Sequence, residues 1–338
     1  DAQESRGLGD VYKRQALNAA PNDLEAKTLR IIWMAQQQKL APAQAELDKL
    51  LPKNENYAPL HYAQGLVYMK RRTSSDVTYI RDSKELLNDA IKEFVKAVNL
   101  DSNYYQAYNA MGVATLLLGN KNDAKDLFET ALKINPQFAT AYDNLGNLEL
   151  INGNLTEAEN YLKNSLKYNS HNPTAMYHLG QVAVRQKDYN KALTWLNHSL
   201  HINPNSSPAL TLQGECYLVQ GNQAAAINSF KKAITVKPEN SRPYINLENV
   251  YEKRSDAEFA IEQLKTVLAI NPRYNDAIMR VADLSLETRK YQQALDYYSK
   301  LVDDSVYGND AIIGLANTYY EMSMDRGHNG CLLYTSPS

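Results

Sequence analysis

The chain has 338 residues and a formal net charge of −2, from 36 Lys and Arg against 38 Asp and Glu. This balance gives no electrostatic basis for binding nucleic acid or an anionic membrane surface. Hydrophobic residues make up 44% of the chain, enough for a buried core, but no apolar run approaches the length of a membrane span.

The two ends of the sequence are related at the DNA level. Residues 7–15 (GLGDVYKRQ) can be encoded by a string whose reverse complement, read one base in, encodes the tail 331–338 (CLLYTSPS). The string also resembles a transposon adapter used in preparing sequencing libraries. We therefore interpret residues 1–15 and 331–338 as adapter-derived and the chain as a bacterial metagenomic fragment. On this interpretation the native start is missing and the compartment is unknown, cytoplasmic only by default.

A pattern of small and large apolar residues recurs every 34 residues between 16 and 326. In the unit that begins at Ala139, Tyr142 and Gly146 fall on one face of a first helix, and Ala158 and Leu162 on one face of a second. Further units begin near residues 24, 58, 105, 173, 207, 241 and 275, with a partial unit near 309. A fixed period of this kind indicates stacked repeats.

Turn-forming residues separate the predicted helices. Gly119, Gly153 and Gly221, each followed by Asn, are predicted to end first helices. Prolines that cannot continue a helix follow several second helices, at Pro136, Pro204, Pro238 and Pro272.

This pattern resembles the tetratricopeptide repeat, the family with a 34-residue helix–turn–helix unit. The resemblance implies an all-α fold, a right-handed α-solenoid superhelix of stacked antiparallel helix–turn–helix repeats that covers residues 16–326. It also implies that the first helices line a concave groove, where members of the family bind protein or peptide partners.

Two places depart from the pattern. The unit near 58 holds about 13 extra residues at 71–83, a loop that either contributes to a binding face or is merely solvated. Glu248 stands where other units have a small residue. We expect local splaying of the helices or pairing with a basic residue such as Lys253 or Arg254, unless a sequencing error has replaced a Gly codon.

Polar residues recur on the first helices where side chains would face the groove. One series reads Asn147, Gln181, Glu215, Asn249, Asp283 and Asn317, and one turn earlier stand Asn109, Asp143, Tyr177 and Thr211. Amides and carboxylates at a regular rise can bond the backbone of an extended peptide. We predict these ten as the groove residues; alternatively, they are polar only because they face solvent.

Other kinds of site find little support. A clamp for an acidic C-terminal tail needs a Lys four residues before the first series, and none occurs there. Only Asn144 and Asn246 match the asparagine ladder of sugar transferases. His198 and His201 have the spacing of two metal ligands, but the sequence fixes no third ligand beside them. Cys216 is expected to be buried and inert. We predict no metal, no cofactor and no catalysis.

Three functions stay open from the sequence. The first is a non-enzymatic scaffold or assembly adaptor that binds protein or peptide. The second is the recognition arm of a larger enzyme, such as a glycosyltransferase, and the third is a secreted or outer-membrane assembly lipoprotein. The incomplete unit near 309 should expose Ile312, Ile313, Leu315 and Tyr319, which predicts self-association or fraying.

Overall fold

The computed structural model describes residues 23–72, 82–238, 240, 242–253 and 257–332, and within them all side chains except those of 252, 253, 270 and 326–332. These residues form seventeen α-helices and one short 3-10 helix, Leu51–Lys53, and no strand among them. The predicted all-α solenoid of helix pairs is confirmed.

The chain divides into two compact units, Asp1–Ile202 and Asn203–Ser338. A repeat in a solenoid contacts mainly its neighbours, so the period does not show where such a division falls.

In the first unit the helices alternate between first and second members of each pair. They are α1 (Leu24–Gln36), α2 (Leu40–Leu50), α3 (Ala58–Arg71), α4 (Ser83–Leu100), α5 (Tyr105–Leu117), α6 (Lys121–Ile134), α7 (Ala139–Asn152), α8 (Leu155–Tyr168), α9 (Pro173–Arg185) and α10 (Tyr189–Ile202). The odd-numbered helices are the first helices.

The second unit continues the alternation by itself. Its helices are α11 (Ser207–Val219), α12 (Gln223–Val236), α13 (Arg242–Lys253), α14 (Ala257–Ile270), α15 (Asn275–Glu287), α16 (Tyr291–Tyr298) and α17 (Gly308–Leu332). The odd-numbered helices are again the first helices, and α17 has no second helix among the described residues.

Small residues on the first helices allow close packing of each pair. A Cβ placed on Gly112 would lie 2.6 Å from the Phe128 ring, and one on Gly146 would lie 2.6 Å from Leu162 Cγ. Real Cβ atoms do not approach so closely, because interiors are packed near the density of organic crystals. The large residue of the second helix therefore occupies the space that the glycine leaves.

The turns between paired helices use the left-handed backbone region. Gly119, Gly153 and Gly221 have φ values of 96°, 87° and 78°. Glycine reaches this region without a steric cost, so the predicted helix ends have a physical basis. Where the sequence offers no glycine, Lys187 and Arg289 adopt φ values of 62° and 57°.

Glu248 is buried and pairs with a basic residue, one of the outcomes expected from the sequence. Its carboxylate lies 3.3 Å from Nε of Arg280, on the first helix of the next repeat. The sequence suggested Lys253 or Arg254 as partners, but Arg254 and the Lys253 side chain lie outside the described residues. Spacing along one helix could not reveal a partner that stacking brings from the next repeat.

Helix lengths differ from the regular pattern at two points. Helix α4 has 18 residues and begins at Ser83, whereas α16 has only 8. Most of the predicted 71–83 insert, residues 73–81, lies outside the described residues, as do 1–22 and 333–338. Across the part of the chain that is described, no helix is long and apolar enough to span a membrane.

Candidate peptide-binding face

Two predicted groove residues of the first unit are buried between neighbouring first helices. Asn109 Oδ1 accepts a hydrogen bond from Asn144 Nδ2 at 2.8 Å, which joins α5 to α7. One repeat later, Nδ1 of His178 lies 2.9 Å from Asp143 Oδ1 and joins α7 to α9. Both Asn109 and Asp143 are less than a tenth exposed. The two bonds use equivalent positions and couple successive repeats.

The other predicted residues of the first unit are half-buried on the same helices. The Tyr177 hydroxyl accepts a hydrogen bond from Gln181 Nε2 at 3.0 Å, one turn along α9. Asn147 is also half-buried, on α7. These three side chains retain exposed surface and hence are accessible to a ligand.

In the second unit, Thr211 and Glu215 also engage in internal bonds. The Thr211 hydroxyl is buried and donates to the Ser207 carbonyl at 2.8 Å. Glu215 accepts two bonds from Arg242, at 2.7 and 2.8 Å, and a third from Asn246 Nδ2 at 2.9 Å. A forked arginine–carboxylate pair of this kind orders the start of α13 against α11.

The end of the second unit offers a more open arrangement. Asn249 and Asn317 are exposed, while Asp283 accepts a hydrogen bond from the Tyr298 hydroxyl at 2.8 Å. Burial and this bond raise the pKa of the Tyr298 hydroxyl above its usual value. Asp283 and Asn317 line one cavity of about 340 Å³, together with Arg280, Leu286, Glu287, Tyr298, Asp310, Ile313 and Gly314.

Exposed apolar side chains that were not predicted from the sequence accompany the polar series. Leu117 and Ile151 are 46% and 47% exposed on α5 and α7, and Ile151 lies one turn after Asn147 on the same side of the helix. Val219 holds the equivalent position on α11 in the second unit and is also exposed. The 34-residue spacing of Leu117 and Ile151 was a signal that could have found them.

Ion pairs between side chains also connect repeats of the first unit. The Lys125 ammonium donates to the buried Glu149 carboxylate at 2.7 Å, and Asn154 donates to it at 2.6 Å. Burial acts to raise the pKa of Glu149, but these hydrogen bonds outweigh it and hold that pKa below its usual value. Hydrogen bonds from Lys163 and Lys191 lower the pKa of Glu159 to about 2.

Residues considered for chemistry have ordinary structural positions. Cys216 is buried, as predicted, and burial raises the pKa of its thiol to about 11. His198 and His201 are exposed on α10. Within the described residues, no group of three or more His, Cys, Asp or Glu side chains is arranged to hold a metal ion.

Three family models match the regular part of the chain. Two models described as "Tetratricopeptide repeat" match residues 105–138 and 127–160. The chain contains tetratricopeptide repeats. A third model, "Anaphase-promoting complex, cyclosome, subunit 3", matches residues 151–233. The comparison with curated proteins gives no match. The repeats support a protein-interaction scaffold.

Solved structures share the fold at low sequence identity. The APC/C hetero-tetramer Cut9–Hcn1 aligns with a TM-score of 0.70 and 18% identity over 80% of this chain. The chain spans 51% of the length of that structure's chain. PilF from Pseudomonas aeruginosa aligns with a TM-score of 0.54 and 19% identity, over 62% of this chain and 96% of that chain. At these identities the likeness concerns the fold alone.

Proposed function

We propose that this chain is a non-enzymatic scaffold that binds an extended segment of a partner protein along its first helices. In this architecture the first helices form the concave side, and a peptide there can reach several repeats at once.

One observation carries the proposal: accessible polar and apolar side chains alternate along the same first helices. Asn147 and Ile151 lie one turn apart on α7, and Leu117 precedes them on α5. Amides can bond the backbone of an extended peptide, while the exposed aliphatic groups bury its apolar side chains. Asn249 and Asn317 are exposed at equivalent positions of the second unit.

We propose that only some of the ten predicted residues contact the peptide. Asn109, Asp143 and Thr211 are buried and bonded within the protein. We assign them to the stacking of repeats, and retain Asn147, Tyr177, Gln181, Asn249, Asp283 and Asn317 as contact residues. Glu215 is half-buried and tied to Arg242, so a peptide would have to compete with an internal ion pair there.

The test begins with a peptide selected from a random display library on the immobilised chain. Its affinity is then measured for the double variant Asn147→Ala, Gln181→Ala, whose two positions both lie in the first unit. We expect binding at least about tenfold weaker, equivalent to about 1.4 kcal/mol. The matched control, Asn160→Ala with Asn228→Ala, removes two exposed asparagines from second helices and should leave the affinity unchanged. Equal affinities for both double variants would refute the assignment.

A further inference from the structure

One position carries an exposed side chain on three successive first helices of the first unit. Leu117 ends α5, Ile151 lies one residue before the end of α7, and Arg185 ends α9, at intervals of 34 residues. All three side chains are exposed. We call these three residues the terminal row. The row is apolar on α5 and α7 and basic on α9.

Arg185 is the only exposed charged side chain among the described residues of α5, α7 and α9. Helix α5 contains no charged residue, and Arg185 is the only Lys, Arg, Asp or Glu of α9. The two acidic residues of α7, Asp143 and Glu149, are buried and bonded within the protein. This part of the first-helix face therefore carries one accessible positive charge and no accessible negative charge.

No carboxylate of the protein neutralises this charge. Among the described residues, the Arg185 guanidinium has no hydrogen-bond or ion-pair partner. Glu159 of α8 accepts a hydrogen bond from the neighbouring Gln186, but it already pairs with Lys163 and Lys191. A guanidinium presents its donors in a planar fork that fits a carboxylate. The positive charge at the end of α9 is therefore available to a ligand.

We propose that the first unit selects a partner segment with two apolar side chains and an acidic residue. The apolar pair contacts Leu117 and Ile151, and the carboxylate pairs with Arg185. This inference rests on the proposed function, because it names the kind of segment that the first-helix face binds. Exposed aliphatic groups favour apolar side chains, while an unpaired guanidinium favours a carboxylate and disfavours a cation. Asn147 and Gln181, one turn before Ile151 and Arg185, can bond the backbone of the segment.

The same position has the opposite charge in the last two repeats of the second unit. It is occupied there by Glu287 on α15 and Glu321 on α17, which are both exposed. Like charges across a contact are unfavourable and suppress binding of the wrong partner. An acidic segment is therefore expected on the first unit and not on these two repeats.

A basic residue in the last turn of a helix also has a possible role in stability. It interacts favourably with the partial negative charge at the helix C-terminus. The two roles differ in what a reversal of the charge at Arg185 changes. A role in stability alone would lower the free energy of unfolding, whereas the proposed role changes which peptides bind.

Random peptides are displayed and selected separately on the intact chain and on its Arg185→Glu variant. The intact chain should enrich peptides with Asp or Glu beside two apolar residues, and the variant should enrich Lys or Arg in place of the acid. Lys133→Glu is the matched control, because Lys133 is exposed in the last turn of the second helix α6. This variant has the same change in charge and should select the same acidic peptides as the intact chain.

The affinity of one selected acidic peptide is then measured by fluorescence anisotropy. Arg185→Glu should weaken its binding at least about fivefold at low ionic strength, because a repulsion replaces an ion pair. The difference should shrink at high salt, which screens exposed charges. Replacement of the acidic residue of the peptide by Lys should restore its affinity for the variant to within about twofold of the original pair.

The outcomes separate this inference from the proposed function. Peptides that bind more weakly to Asn147→Ala, Gln181→Ala, but have no acidic preference and no response to Arg185→Glu, would overturn the inference and leave the proposed function standing. Equal responses to Arg185→Glu and Lys133→Glu would also overturn it, since they would indicate a general effect of charge. A failure to select any peptide, or peptides that respond to none of these variants, would contradict both.

Discussion

Two aspartates predicted for the same groove have different environments in the two units. Asp143, in the first unit, is buried and pairs with His178 on the next first helix. Asp283, in the second unit, is half-buried, bonds to the Tyr298 hydroxyl and borders an open cavity. Polar residues on first helices therefore serve two purposes, and only the structure distinguishes stacking from accessible surface.

The largest expected effect concerns the buried aspartate. Asp143→Ala leaves the half-buried His178 without its carboxylate, and should lower the free energy of unfolding by about 1–3 kcal/mol. Asn147→Ala, one turn later on α7, should change it by less than about 0.5 kcal/mol. Urea denaturation of both variants measures the difference, and similar losses would remove the distinction between the two positions.

The next effect is a dependence of stability on pH in the first unit. The pKa of Glu149 is lowered in the folded state, so its contribution is complete above its unfolded pKa and is lost as pH falls through the folded one. Glu149→Gln should therefore cost about 1–2 kcal/mol at pH 7. The gap between the variant and the parent chain should narrow as the pH falls through the lowered folded pKa of Glu149; a gap that stays constant with pH would contradict this account.

A smaller effect is expected from the bond that holds Asp283. Tyr298→Phe removes the hydroxyl that donates to Asp283 and should lower the free energy of unfolding by about 1 kcal/mol. The phenyl ring keeps the packing of the buried side chain, so the loss, measured by urea denaturation, should be confined to this one hydrogen bond. A loss as large as that of Asp143→Ala would mean that Asp283 is also mainly a stacking residue.

The smallest effect on stability should come from the exposed amide at the same cavity. Asn317→Ala removes a side chain with no described hydrogen-bond partner, so the free energy of unfolding should change by less than about 0.5 kcal/mol. Peptide affinity in the same variant should fall, and a stability loss above 1 kcal/mol would place Asn317 with the structural residues.

Much of the fold could be predicted because the repeat fixes where a first helix must have a small residue and where the second helix must have a large one. Gly112 and Gly146 must be small where Phe128 and Leu162 pack, so the period marks the helix pairs. The first helices begin at Ala58, Tyr105, Ala139 and Pro173, the residues that the period indicates. The pairing of Glu248 with Arg280 could not be predicted, because stacking and not sequence proximity brings the two side chains together.

The candidate site was less predictable for a related reason. Asn109 and Asn147 are both polar residues on first helices, and nothing in their spacing separates a bond to the next helix from an open surface. The direction of each side chain depends on the rotation of its helix within the stack. Leu117 and Ile151 were missed because apolar residues in a helical repeat are normally attributed to the core.

Photo-crosslinking tests the central claim most directly. A selected peptide that carries a benzophenone group is irradiated with the intact chain, and the attachment points are found by mass spectrometry. We predict attachment to the first helices within a unit: α7 and α9, near Asn147 and Gln181, in the first, or α13 and α15, near Asn249 and Asp283, in the second. Attachment mainly to the second helices α8, α10, α12 and α14 would contradict the account.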